Sequence, residues 1–280
     1  MYPKLISIGP FALYSYGTML VASFVVAAWL LGKELRRKGL AAEIGPDMTF
    51  LAVVFGVTGS KLAAVLEDWH DFTHAPKAFL LGGGLTWHGG LLLATAAIAL
   101  YIRQRRLPFL RLADATAPGL MLAYGIARIG CHLSGDGDYG MPTSLPWGYV
   151  YSKGTVPPSV AFKDFPDIVS RYGVNGVVPD TIPVHPTPIY ECIAAIILFA
   201  ILWRLRTRPR PDGWLFSLYL VLSGIERFLV EFIRVEPRLW LGLTEAQWVF
   251  LILTGVGMVG LINLTSRAQS TKGPGGRRPP

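Results

Sequence analysis

Charge is scarce in this sequence. Only 16% of its 280 residues are charged, against ~25% in a soluble domain. Hydrophobic residues make up 52%, and mean hydropathy is +0.44. This excludes an ordinary soluble domain and points to a membrane. Cysteine is scarcer still. Two residues, Cys131 and Cys192, cannot build a disulfide framework; they read as packed thiols, with a single bridge as the alternative. The five histidines offer no close pair with a carboxylate on one helix, so no metal site is expected. His70 and His74 are four apart, but in a short polar loop. There is no convincing Gly-rich nucleotide loop, no serine-nucleophile motif and no internal repeat. The N-terminus lacks a basic n-region and a clear cleavage site, so the first apolar run is expected to stay as a helix.

What the chain does have is apolar length. Seven runs approach the roughly 20 residues that span a bilayer: 11–31, 48–66, 80–102, 115–133, 189–205, 214–233 and 247–264. The third begins on Gly82, Gly83 and Gly84 and is expected to be broken there. Basic residues cluster in alternate connections: Lys33, Arg36, Arg37 and Lys38; Arg103, Arg105, Arg106 and Arg111; Arg204, Arg206, Arg208 and Arg210; Arg267, Lys272, Arg277 and Arg278. These four groups hold 16 of the 26 Lys and Arg residues. A positive-inside distribution then puts those loops and the C-terminus in the cytoplasm and the N-terminus outside. The net charge of +8 is thus a topology signal. No nucleic acid is expected as a partner, because the basic residues flank helices without interleaved stacking aromatics.

The expected fold is an all-α polytopic membrane protein of about seven transmembrane helices. One domain covers 1–265. A small extracytoplasmic head, 134–188, falls between the fourth and fifth helices and reads as strands and turns. The stretch 266–280, rich in Gly, Pro, Ser and Arg, reads as a disordered basic cytoplasmic tail.

Against this apolar background the polar residues stand out. Arg128 and Arg227 lie within apolar runs, where an ionised side chain costs at least ~2.5 kcal/mol. Glu231 and Arg234 continue the helical face of Arg227. His88 interrupts a third run, between Gly84 and the pair Gly89 and Gly90. Tyr16, Lys61, His185, Tyr190, Glu191 and Gln247 also fall toward the outer side. A polar set confined to one leaflet suits a lipid headgroup better than an ion pathway. Arg offers phosphate a planar fork of donors, and two arginines can hold one phosphodiester and stabilise it as a leaving group. A neutral imidazole can take a proton. Each residue also has a plainer reading. Arg234 and Lys61 can snorkel, Arg227 and Glu231 can form a structural ion pair, Asp136 and Asp138 can shape a turn, and Tyr16 and Gln247 can anchor at the interface.

At these residues the sequence resembles the prolipoprotein diacylglyceryl transferase family. Gly84-Leu85-Thr86-Trp87-His88-Gly89-Gly90-Leu91 resembles the family's Gly-x-x-x-His-Gly-Gly-Leu. Ala127-Arg128-Ile129-Gly130, continuing to Ser134-Gly135-Asp136, resembles its Gly-Arg-Ile-Gly-Asn-Phe-x-Asn-Gly-Glu. Pro146-Trp147-Gly148, the segment from His185 to Glu191, the segment from Arg227 to Arg234, Gln247-Trp248 and Tyr16-Gly17 resemble further family segments in the same order. Departures are Cys131 for an Asn, Lys61 for an Arg, Ser223 for a Tyr and Pro188 for a Gln.

The resemblance implies transfer of a diacylglyceryl group from phosphatidylglycerol to the lipobox cysteine thiol of a prolipoprotein, with release of glycerol phosphate. It implies catalytic roles for Arg128, Arg227 and His88, and substrate-binding roles for Tyr16, Lys61, Asp136, His185, Tyr190, Glu231, Arg234 and Gln247. It implies no cofactor and no metal. The partners would be phosphatidylglycerol, prolipoprotein signal peptides and membrane lipid, and the chain is expected to be a monomer in a bacterial inner membrane. The alternative is a catalytically altered paralogue that binds lipid or lipoprotein. A small transporter would need polar residues through both leaflets or an inverted repeat, and neither is visible.

Overall fold

A computed structural model describes residues 1–8, 11–81 and 86–270. The expected break at Gly82–Gly84 and the tail beyond Ser270 lie outside the described residues. The element order is β1 (Lys4–Ile8), β2 (Phe11–Tyr14), α1 (Ser15–Arg37), α2 (Ile44–Glu67), α3 (Trp69–His74), α4 (Pro76–Leu81), α5 (Trp87–Gln104), α6 (Phe109–Ser134), β3 (Tyr149–Val150), α7 (Pro158–Ala161), α8 (Pro166–Tyr172), β4 (Pro183–Val184), α9 (Thr187–Leu205), α10 (Trp214–Val230) and α11 (Glu245–Ser270), with a 3-10 turn at Trp240–Gly242. Helix dominates, and sheet is confined to two short two-stranded pairs among the described residues.

Among the described residues four helices, α1, α2, α9 and α11, are long and apolar enough to cross a membrane. The other three expected runs fall on α5, α6 and α10. Of these, α10 has 17 residues, and α6 carries Pro118 as well as charged side chains. The first run was expected to be helical from Phe11, but Phe11–Tyr14 is a strand. It pairs antiparallel with β1, with Ser7 opposite Ala12 and Lys4 opposite Tyr14. The Ser15 amide bonds the Pro3 carbonyl at 3.0 Å, so the helix starts where the hairpin closes. An unbroken apolar run does not distinguish strand from helix. At the other end α11 continues to Ser270, into the stretch expected as tail.

The chain forms two compact units, Leu31–Ala115 and Met1–Leu30 with the chain from Thr116 on. In the first, Leu35, Leu112 and Ala115 are fully buried in a core with Leu31, Ile44, Met48 and Ile102. Helices α2 and α5 meet through glycines: a Cβ on Gly59 would stand 2.4 Å from the Gly89 carbonyl oxygen. Small residues let helices approach backbone to backbone where lipid gives no hydrophobic drive. Gly59→Ala is therefore expected to lower the melting temperature in detergent, by an overpacking cost of about 1–3 kcal/mol. Gly56→Ala is the control, since nothing lies within 4 Å of its added Cβ. Equal melting of the two variants would contradict the crossing.

The second unit has two cores. Ala117, Met121, Ala195, Leu202 and Leu215 join α6, α9 and α10. Between α6 and α9, Tyr139, Tyr151, Phe162, Val178 and Val184 form a separate aromatic-rich core, in which Tyr139 and Tyr151 stack at 4.5 Å. This segment was expected as strands and turns. Besides β3 and β4 it contains two short helices, α7 and α8. A short ladder ties it to the end of α10: Val184 pairs with both Tyr149 and Pro142, and Gly140 pairs with Arg234. Glycine is needed at 140, because a Cβ there would lie 2.4 Å from the Ile233 carbonyl oxygen.

Candidate functional site

Three elements of the second unit and two turns converge on a closed ring of charge. Helix α6 supplies Arg128, and the first turn of α9 supplies Glu191. The end of α10 supplies Arg227, its C-cap is Glu231, and the turn that follows supplies Arg234. The turn after α6 supplies Asp138. Arg128 pairs with Asp138, and its Nε lies 3.2 Å from Glu191 Oε2. Arg227 Nη1 lies 3.6 Å from Glu191 Oε1 and pairs with Glu231. Arg234 Nε lies 3.5 Å from Glu231, and its Nη2 is 2.8 Å from Asp138 Oδ1. Each ring carboxylate thus touches two guanidiniums and each guanidinium two ring carboxylates, and Arg234 Nη2 also donates to Glu236 Oε1 at 2.8 Å, outside the ring.

Neutral groups hold the ring from outside. The Tyr124 hydroxyl donates to Glu191 Oε1 at 2.8 Å, and the Arg128 guanidinium lies 5.0 Å over the Tyr124 ring. The Thr244 hydroxyl donates to Glu231 at 2.9 Å. Gln247 accepts from the Thr244 amide at 3.0 Å and donates to the Phe228 carbonyl at 3.4 Å. Arg234 Nη1 donates to the Asp138 carbonyl at 2.8 Å, which also accepts from the Thr187 hydroxyl at 2.6 Å. Burying ions is costly unless they are paired and hydrogen-bonded; every ring ion is paired, but Glu191 Oε2, Arg227 Nη1, Glu231 Oε2 and Arg234 Nε are buried on ion pairs alone, without a hydrogen bond of good geometry.

The ring is not equally closed all round. Glu191 and Glu231 are fully buried and Arg234 nearly so. The side chains of Arg128 and Asp138 are 16% and 30% exposed. Arg128 is thus the most open of the three guanidiniums, at its contact with Asp138. Burial pushes the Asp138 carboxyl up, but Arg234 and then Arg128 outweigh it and hold it well below the usual carboxylate range. The neighbouring Asp136 goes the other way, raised by burial and then by the charge of Asp138. Cys131 lies one turn after Arg128, with its Sγ 3.8 Å from Nη1. Cys131, Asp136 and Asp138 place ligand atoms within 4.8 Å of one another. Two guanidiniums already occupy Asp138, and their charge opposes a metal ion there. Both cysteines are free and buried.

The structure thus joins Arg128, Arg227, Glu231 and Arg234, with Gln247 bracing Glu231 through Thr244. Tyr16 lies where α1 passes α6, since a Cβ on Gly130 would stand 3.3 Å from the Tyr16 Cα. Asp136 does not join the ring; its amide neighbour Asp138 does. His185 and Tyr190 bond each other at 3.3 Å, and Trp147 donates to Tyr190 at 2.8 Å. Burial lowers the His185 imidazole. His88 and Lys61 belong to the other compact unit. His88 Nε2 is 2.8 Å from Glu67, and the Lys61 ammonium lies 5.4 Å over the Phe79 ring. Tyr124, Asp138, Thr187 and Thr244 have no site role in the sequence reading, and Glu191 enters it only as one of the outer polar set. Tyr124 has a local signal, because it lies one turn before Arg128.

The chain matches the family model of prolipoprotein diacylglyceryl transferase over residues 3–263. It is 31% identical over 281 residues to the phosphatidylglycerol–prolipoprotein diacylglyceryl transferase of Bordetella avium, covering 96% of each chain. To the protein of the same name from Clostridium tetani it is 30% identical over 240 residues, or 85% of this chain and 87% of the relative. To that of Cupriavidus pinatubonensis it is 32% identical over 273 residues, or 92% and 90%.

Proposed function

We propose that this chain, which belongs to the prolipoprotein diacylglyceryl transferase family, transfers a diacylglyceryl group from phosphatidylglycerol to the lipobox cysteine thiol of prolipoproteins. The observation that carries the reading is the ring, which holds three arginines in one place within a largely apolar chain. A phosphodiester presents oxygens to the Arg128 fork at the ring's open edge. The acceptor sulfur attacks the glyceryl carbon, the carbon–oxygen bond to phosphate breaks, and glycerol phosphate leaves with the bonding pair. Charge that builds on the departing phosphate is stabilised by Arg128, with Arg227 acting from behind it through Glu191. Glu231 and Arg234, braced by Gln247, hold Arg227 in place. His88 takes the thiol proton, because the thiolate and not the thiol is the nucleophile. Tyr16, Lys61, Asp136, His185 and Tyr190 contribute contacts to lipid or peptide.

The chain acts as a monomer in a bacterial inner membrane, with seven spans formed by α1, α2, α5, α6, α9, α10 and α11. The segment between α6 and α9 lies outside with the N-terminus, and the C-terminus is cytoplasmic. Supplying this chain to a host depleted of its own transferase is expected to restore lipidation of a model prolipoprotein. No lipidation despite normal membrane expression would overturn the proposal.

A further inference from the structure

In the first compact unit the contact between α2 and α5 changes character along its length. Toward the end of α2, glycines bring the two backbones together. Toward its start, the helices meet through side chains around an open cavity of about 350 Å³. Leu51 and Phe55 line it from α2, and Leu93, Ala97 and Leu100 from α5. Spacings of three and four put each set on one helical face. The α5 lining runs on to Gln104, so the cavity extends over roughly 16 Å at ~1.5 Å per residue.

The end at Gln104 is polar. There the Tyr101 hydroxyl donates to Asp47 Oδ2 at 2.6 Å. Arg103, Arg105 and Arg106 stand exposed where α5 stops. The Arg105 guanidinium lies 5.7 Å over the Tyr101 ring, which brings its charge to the mouth of the cavity. Among the described residues none of these three arginines is paired with an acid. Even with Asp47 and the N-cap Glu43 of α2, this end is left positive. Topology accounts for the arginines alone, but not for a cavity beside them. Helix α2 is long and apolar enough to cross a membrane, so a cavity along it is open to lipid chains. Basic pockets between membrane helices select anionic headgroups.

We propose that this cavity binds an anionic phospholipid at a site that shares no residue with the ring. One acyl chain lies along Leu93, Ala97 and Leu100, where the single methyl of Ala97 leaves it room. The phosphate reaches the end of α5, where the arginines donate to its oxygens. The lipid is bound there and not transformed. With the orientation proposed above, it belongs to the inner leaflet.

The test uses the full chain in detergent, with tetraoleoyl cardiolipin as the probe and dioleoyl phosphatidylcholine as the neutral control. Retention is read by native mass spectrometry and stabilisation by melting temperature. The wild type is expected to retain one cardiolipin in preference to phosphatidylcholine and to melt higher with it. Added salt should weaken retention, because the arginines are exposed and their attraction is screened. Arg103→Gln with Arg105→Gln should lower cardiolipin affinity about thirtyfold, the equivalent of ~1 kcal/mol for each arginine. Ala97→Trp, which fills the cavity, should abolish the melting shift. Should it fail to fold, the exposed arginine pair decides alone. Arg128→Ala should bind cardiolipin as the wild type does. Equal retention of the two lipids, full cardiolipin retention in a folded cavity or arginine variant, or its loss in Arg128→Ala would overturn the proposal. None of these readouts depends on transfer activity, so failure of the transferase reading would leave the test intact.

Discussion

Arg128→Ala is expected to lower transfer to a lipobox peptide by at least the roughly 10²–10³ that follows loss of one charge-stabilising donor. Arg128 is the ring's most exposed guanidinium, at 16%, so the proposed reaction has the incoming phosphodiester meet it. On that reading its loss removes both the contact that positions the phosphate and the charge that stabilises it on leaving. Arg128→Lys should not rescue. An ammonium keeps the charge but lacks the planar fork that now spans Asp138 and Glu191. Turnover is measured with labelled phosphatidylglycerol in mixed micelles, alongside the melting temperature to confirm folding. A folded Arg128→Ala enzyme within tenfold of wild type would sink the phosphate role.

The largest effect on stability is expected at Glu191. Its side chain is fully buried and separates the guanidiniums of Arg128 and Arg227. Glu191→Ala leaves these two cations facing each other and takes the acceptor from the Tyr124 hydroxyl. Removing one partner of a buried ion pair costs about 3–5 kcal/mol, a large share of the ~5–15 kcal/mol that holds a typical domain folded. The variant should melt far below the wild type in detergent or fail to accumulate in the membrane. Glu191→Gln keeps the Tyr124 bond and should fall between the two. A Glu191→Ala protein that melts with the wild type would show that the ring is not a structural unit.

Much of the ring was legible one residue at a time. Arg128, Arg227, Glu231 and Arg234 stand out because charge in an apolar run is costly, and the spacing of the last three puts them on one face. The partners were less legible. Glu191 reads as one more polar residue at the outer start of a helix. Asp138 is ten residues past Arg128, beyond three glycines, and nothing local says which of Asp136 and Asp138 turns back. Hydropathy assigns each residue a depth, but depth is one coordinate, and neighbours also need a direction around the helix. Lys61 illustrates this: its ammonium lies over the Phe79 ring, a contact with no trace in the spacing. The β1–β2 hairpin escaped for another reason, since apolar content alone does not separate a strand from a helix.

A closed ring of alternating charge has a property that its single arginines lack. The six ring groups alone sum to zero, and Glu236 on Arg234 adds one more negative charge, so the cluster has no net positive field to project and what the arginines offer dies away faster than the field of a lone cation. It exerts little pull on a phosphate beyond contact range. On the proposed reading, anionic lipids are therefore not drawn in from a distance, and headgroups are sorted where they touch, by whether their oxygens fit the Arg128 fork better than the Asp138 carboxylate does.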